Sequence, residues 1–221
     1  MSAALALAGC GTAPQTAAAT SSGLHGREPD QVVERPSFVL TDTSGRAYDF
    51  AEETAGRPTL LYFGYTDCPD ECPTAMADIT AALRTVDAEL RERTAVVFVT
   101  TDPSRDDGPR LRQWLDRYST TYVGLTGTQE QVQRAQEAAG ATVAVRGEPV
   151  PTLPGSPTEH EHAPGTAPHT HDRPLGDLVE HATSIFAYDA SDRLPVLYPE
   201  SVSPSDIRAD LPVLARKEPS T

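Results

Sequence analysis

The chain has 221 residues, enough for one domain with a sizeable core plus appendages. Its 18 Lys and Arg face 32 Asp and Glu, a formal net charge of -14, which excludes nucleic acid as a partner because phosphate backbones need clustered cations. No run approaches the roughly 20 apolar residues of a membrane-spanning helix.

The first ten residues, MSAALALAGC, carry a different membrane signal. Leu7-Ala8-Gly9-Cys10 looks like a bacterial lipobox, where a signal peptide is cut and the new N-terminal cysteine is lipidated. The leader is short and has no Lys or Arg before its apolar run, as in a truncated signal peptide. Residues 11–34, rich in Ala, Thr, Ser and Gly, read as a flexible tether to a domain over 35–216, with 217–221 as a tail. This places the domain on the extracytoplasmic face of a bacterial membrane, lipid-anchored through Cys10. With Cys10 as the anchor, Cys68 and Cys72 are the only thiols left, in an oxidising compartment.

Within the domain, SFVLTDTSGRAYDF alternates apolar and polar residues around Ser44-Gly45, the pattern of a β-hairpin. PTLLYFGY (58–65) is a continuous apolar run, predicting a strand buried on both faces. Met76, Ile79, Leu83, Val86 and Leu90 then recur at helical steps, and AVVFVTTD (95–102) is a second buried strand. This is a β-α-β unit, which is right-handed and parallel in nearly all proteins. A helix from Pro109 follows, with Leu111, Trp114, Leu115 and Tyr118 on one face. A further helix opens at Thr128 with Gln131 as a capping box and closes at Gly140. ATVAV (141–145) is a short predicted strand. Residues 184–188 and 194–198 form two strands across a Ser191-Asp192 turn, and Ser203-Pro204 opens a last helix with Ile207, Leu211 and Leu214 inward. Residues 146–176, dense in Pro, Gly and His, have too little apolar content for a core and read as a surface insertion. The expected fold is α/β and thioredoxin-like: a central mixed sheet with helices on both faces, an N-terminal hairpin and a His/Pro-rich loop insertion.

Chemistry concentrates in YTDCPDECPT (65–74), where Cys68 and Cys72 are spaced C-x-x-x-C at a strand-to-helix junction. On the first turn of a helix, residues four apart share a face with Cα atoms ~6 Å apart, within reach of a disulfide or of one metal ion. Pro73 suits the first helical position, and the helix dipole favours thiolate while Asp67, Asp70 and Glu71 oppose it. Zinc sites usually take four N/S ligands, whereas soft copper(I) accepts two or three. Of six histidines, His25 lies in the tether and His160, His162, His169 and His171 lie in the insertion. His181, just before the predicted closing hairpin, is the candidate third ligand of a Cys2His site.

YFGYTDCPDECP, VTTDPSRDD and EHATSIFAYD, in that order, resemble the Sco/SenC family of copper-binding, thioredoxin-fold proteins over roughly residues 36–215. The resemblance implies copper, Cu(I) or Cu(II), held by Cys68, Cys72 and His181, with Asp102 as an outer-shell residue. It implies a monomeric metallochaperone serving the dinuclear copper A site of cytochrome c oxidase, with other copper chaperones or thiol reductases as further partners. The alternative is a thiol-disulfide oxidoreductase that uses Cys68 and Cys72 as a redox pair to keep that site's cysteines reduced. Glu71 departs from the family pattern, in which an apolar residue is common between the cysteines. The two H-x-H pairs of the insertion form an auxiliary copper-capturing loop in this reading, since neutral imidazoles suit copper(II).

Overall fold

A computed structural model describes residues 23–143, 145–146, 179–180 and 184–217. Seven strands form one mixed sheet in the order β2-β1-β5-β4-β3-β8-β9. The central strands β3 (Thr59–Gly64), β4 (Ala95–Thr100) and β5 (Val123–Thr126) run parallel. On one side β1 (Val39–Asp42) and β2 (Ala47–Asp49) form the hairpin, turning at Gly45 with φ of 86°. On the other, β8 (Ile185–Tyr188) lies antiparallel to β3 and β9 (Val196–Tyr198) antiparallel to β8.

Period-two alternation on β3 divides the core. Leu60 and Tyr62 face one layer, with Met76, Ile79, Trp114, Ile207 and Leu211. This layer belongs to α2 (Glu71–Arg84), α4 (Gly108–Leu115) and α6 (Pro204–Leu214). Leu61 and Phe63 face the other layer, where α1 (Phe50–Thr54) and α5 (Gln129–Ala138) contribute Phe50, Val132 and Ala135. Burial on both faces explains why the central strands read as unbroken apolar runs. The fold is therefore the expected thioredoxin-like α/β sandwich.

Four details differ from the sequence reading. The stripe 76–90 is two helices, because Asp87 caps a separate α3 (Ala88–Arg93) by accepting from Leu90 N at 2.8 Å. β5 and α1 carry too few periodic residues to stand out. Residues 141–143 form no strand; β6 (Val145–Arg146) instead pairs with β7 (Val179–Glu180) in a ribbon outside the main sheet. Tyr118 lies beyond the end of α4. The α5 capping box and the left-handed Gly140 after it are present as expected.

Residues 23–34, assigned above to the tether, lie against the domain. Arg27 exchanges both backbone hydrogen bonds with Leu197 at 2.8 and 2.9 Å, Leu194 N donates to Val33 O, and Arg35 N donates to Asp192 O. This strap covers the edge of β9, which would otherwise present unpaired backbone groups. Gly26 makes it possible: a Cβ there would stand 2.4 Å from Val196 Cγ2 and 2.5 Å from Leu197 O. Among the described residues no helix is long and apolar enough to cross a membrane.

Candidate metal centre

Strand β3 ends at Gly64, and the chain turns through Tyr65–Asp70 into α2. Cys68 sits in this turn, its N–H donating to Tyr65 O at 3.2 Å. The helix starts at Glu71, so Cys72 is its second residue and Pro73 its third, two positions later than the sequence suggested. Proline is tolerated there for the same reason, because the first-turn N–H groups have no partner within the helix. Asp70 occupies the capping position without a side-chain hydrogen bond to the helix. Cys68 Sγ takes the capping role instead, accepting from Cys72 N at 3.3 Å. A first-turn N–H aimed at sulfur stabilises negative charge on it.

Both cysteines are buried and are not joined in a disulfide. Cys72 is completely enclosed, and Tyr62 Oη donates to its sulfur at 3.9 Å. Burial, followed by the neighbouring Cys68, pushes the Cys72 thiol up, so the metal-free pair holds a proton there. Burial likewise pushes the Tyr62 phenol up. Gly64 creates the room for this sulfur: a Cβ on it would lie 2.8 Å from Cys72 Sγ, 2.9 Å from Tyr62 and 3.1 Å from Phe98. A glycine inside an apolar strand was the available sequence signal, since it marks close approach by another group.

The turn is fastened from the β4 side. Asp106, 1% exposed, accepts from Thr66 N at 2.9 Å, Thr66 Oγ1 at 2.5 Å and Thr100 Oγ1 at 2.7 Å. Arg110 reaches across from α4, donating to Thr66 Oγ1 at 2.9 Å and to Asp67 Oδ1 at 2.6 Å. Sequence reasoning selected Asp102 from this loop. Asp102 is equally buried, but the bonds described for it run within its own loop, to Ser104, Arg105 and Thr100 Oγ1. Asp106 thus holds the cysteine turn, and it was missed because sequence does not show which of the three acids in TDPSRDD points back at Thr66. An open cleft of about 460 Å3 beside the turn is lined by Thr66, Asp67, Arg110, Gln113, Trp114 and Arg117.

Cys10, His160, His162, His169, His171 and His181 lie outside the described residues. Among the described residues no group of three or more His, Cys, Asp or Glu side chains gathers to hold a metal ion. Within them the centre consists of two sulfurs.

Residues 26–216 match the SCO1/SenC family model. The chain belongs to the SCO1/SenC family. Protein SenC of Rhodobacter capsulatus is 33% identical over 154 residues, covering 70% of this chain and 58% of that protein. The chain spans about half the length of the curated relatives it matches. Among solved SCO1/SenC structures, apo Sco1 of Thermus thermophilus has a TM-score of 0.65 at 24% identity, covering 86% of this chain and 96% of that one. ScoI of Bradyrhizobium japonicum, solved with copper bound, has a TM-score of 0.62 at 23% identity, covering 82% and 99%. These two likenesses establish a common fold, in which the cysteine turn lies at the C-terminal end of the central parallel strands.

Proposed function

We propose that this protein is a membrane-tethered, extracytoplasmic copper metallochaperone, anchored through Cys10, that binds copper through Cys68, Cys72 and His181. Its cargo goes to the dinuclear copper A site of cytochrome c oxidase. The observation that carries the reading is the pair itself: two buried, reduced sulfurs, one capping the helix that bears the other. Family membership and the copper-bound relative support the choice of metal. Strand β8 enters the sheet at the end where β3 leaves it, and His181 precedes Ile185 by four residues in sequence, which supports its candidacy as the third ligand.

The chemistry follows from softness and burial. Copper(I) displaces the two thiol protons, and its positive charge offsets one of the two thiolate charges enclosed with it, leaving one net negative charge for the surrounding donors to stabilise. The Cys72 N–H and the Tyr62 hydroxyl stabilise the sulfurs. Asp106 and Arg110 keep the turn from rearranging when the metal leaves.

A second reading, thiol-disulfide oxidoreductase, is favoured by the same 3.3 Å contact, which stabilises a Cys68 thiolate for attack on a partner disulfide. Replacing His181 by Ala separates the two. A chaperone loses copper transfer to the acceptor while dithiol exchange largely survives. Transfer that continues at the wild-type rate sinks the assignment of His181.

A further inference from the structure

The cleft beside the cysteine turn has two walls of different origin. One is the turn itself, through Thr66 and Asp67, and the other is the flank of α4 and the residues just after it, through Arg110, Gln113 and Arg117. Trp114, the single tryptophan of the chain, lines the cleft between them at 5% exposure. Arg117 holds its guanidinium over that ring, 5.3 Å from the centroid, and donates through Nε to Trp114 O at 3.1 Å. Gln113 and Arg117 follow Arg110 at steps of three and four residues, which brings all three to one face. Arg112 does not share it, bonding instead to Asp116 and to the carbonyls of Ser119 and Tyr122.

In a chain of formal charge -14, two guanidinium groups facing one open cleft concentrate positive charge where the rest of the surface is acidic. Asp67 offsets part of it through its 2.6 Å bond to Arg110, and buried Asp106 lies 3.5 Å from Arg110 Nε. Among the described residues no carboxylate pairs with Arg117. Arg110 is also the link between this surface and the copper centre. Its side chain is 45% exposed, yet it bonds Thr66 Oγ1 and Asp67 Oδ1, the two residues before Cys68. A carboxylate that enters the cleft is drawn by Arg117 and competes with Asp67 for Arg110. Once Arg110 turns to it, of the bonds to Thr66 that fasten the turn only those of Asp106 remain.

We infer that this cleft is the docking site for an acidic segment of the protein that accepts the copper, and that Arg110 couples its occupation to the cysteine turn. The inference rests on the carrier function proposed above and names the chemistry of the partner at that same site. A volume of about 460 Å3 suits a few side chains of a partner rather than a whole element. Complementary charge steers the encounter and selects the partner, while an acidic surface elsewhere repels an acidic protein from unproductive faces. Docking therefore does two things at once. It brings the acceptor beside Cys68, and it loosens the turn that holds Cys68 in place.

The test uses the full chain, reduced and metal-free, with acetyl-hexaglutamate amide as the probe. Because Trp114 is the single tryptophan, its emission reports on the cleft directly. The peptide should shift that emission saturably and speed alkylation of Cys68 by iodoacetamide about threefold, read by mass spectrometry so that Cys10 is counted apart. Both effects should vanish with hexaglutamine, and in about 1 M sodium chloride, where the screening length is about 3 Å. Arg117→Gln should weaken peptide binding about threefold or more. Arg110→Gln should raise the Cys68 rate without peptide and leave the peptide no further effect on it. Arg134→Gln, on α5 in the other layer, should change neither readout. The inference is overturned by an absent Trp114 response, by a response without faster alkylation, or by equal weakening with Arg134→Gln. An equal response to phosphatidylglycerol vesicles, or a Trp114 shift that accompanies self-association without peptide, overturns it as well. No copper is used, so failure here leaves the carrier function standing; that reading fails instead if the native protein binds no copper at its cysteines.

Discussion

Gly64→Ala is the sharpest local perturbation of the centre. The new methyl would sit 2.8 Å from Cys72 Sγ and 2.9 Å from the Tyr62 ring, against the ~3.5–4.0 Å of a relaxed carbon contact. The sulfur has to retreat by about 0.7 Å or more, within a layer where Met76, Ile79 and Phe98 are fully buried. Overpacking of this kind costs ~1–3 kcal/mol, offset by the ~0.4–1 kcal/mol that alanine gains over glycine through the unfolded chain. A net loss of ~1–2 kcal/mol should lower Tm by roughly 2–8 °C for a domain of this size. The assay is urea denaturation of a double-mutant cycle with Cys72→Ala. Removing the sulfur removes the closest collision, so the double variant should be more stable than the sum of the single changes by ~1 kcal/mol. Strict additivity, or a Gly64→Ala protein as stable as the parent with unchanged copper affinity, would refute the packing argument.

Asp106→Asn should cost ~2–3 kcal/mol and speed modification of Cys68 by a maleimide, because an amide cannot accept from all three donors that the carboxylate serves. Asp210→Asn, equally buried but on α6, should leave the maleimide rate unchanged. Arg35→Met removes four hydrogen bonds, leaving Asp192 Oδ1 only the one from Gly56 N, and should destabilise by ~2–3 kcal/mol in chemical denaturation; a loss below ~1 kcal/mol would mean the strap contributes little. The hydrogen bond to Asp210 raises the pKa of the half-exposed His25, with the Asp210 charge adding to it. A raised folded value means the stabilisation is complete below the unfolded pKa and fades as pH climbs through the folded one. The Tm difference between the parent and His25→Ala should therefore be larger at pH 5.5 than at pH 9, and a pH-independent difference would contradict that bond. Deleting residues 147–174 should slow copper loading under limiting metal, and an unchanged rate would remove the auxiliary role of the His-rich loop.

What sequence could tell followed from periodicity and local chemistry. The central strands stood out because burial on both faces makes them uniformly apolar, and α5 because Thr128 and Gln131 form a capping box. The cysteine pair was legible from spacing and from its place between a buried strand and an amphipathic helix. Long-range geometry was not. Four residues of β5 and five of α1 are too short to show a period. Nothing local distinguishes Asp106 from Asp102 until β4 and α2 are set side by side. The strap was hidden by its composition: polar, glycine-containing and with little apolar content, it is held by backbone pairing and by two side chains, His25 and Arg35, whose carboxylate partners Asp210 and Asp192 lie more than 150 residues away.

The most direct measurement is an anaerobic copper(I) titration of the full chain against a competing chelator, repeated for Cys68→Ala, Cys72→Ala and His181→Ala. A copper carrier of the proposed kind binds a single tight equivalent, lost without either cysteine and weakened without His181. Copper bound only weakly, and equally in all four proteins, would contradict the Cys2His centre and leave the pair as a redox switch.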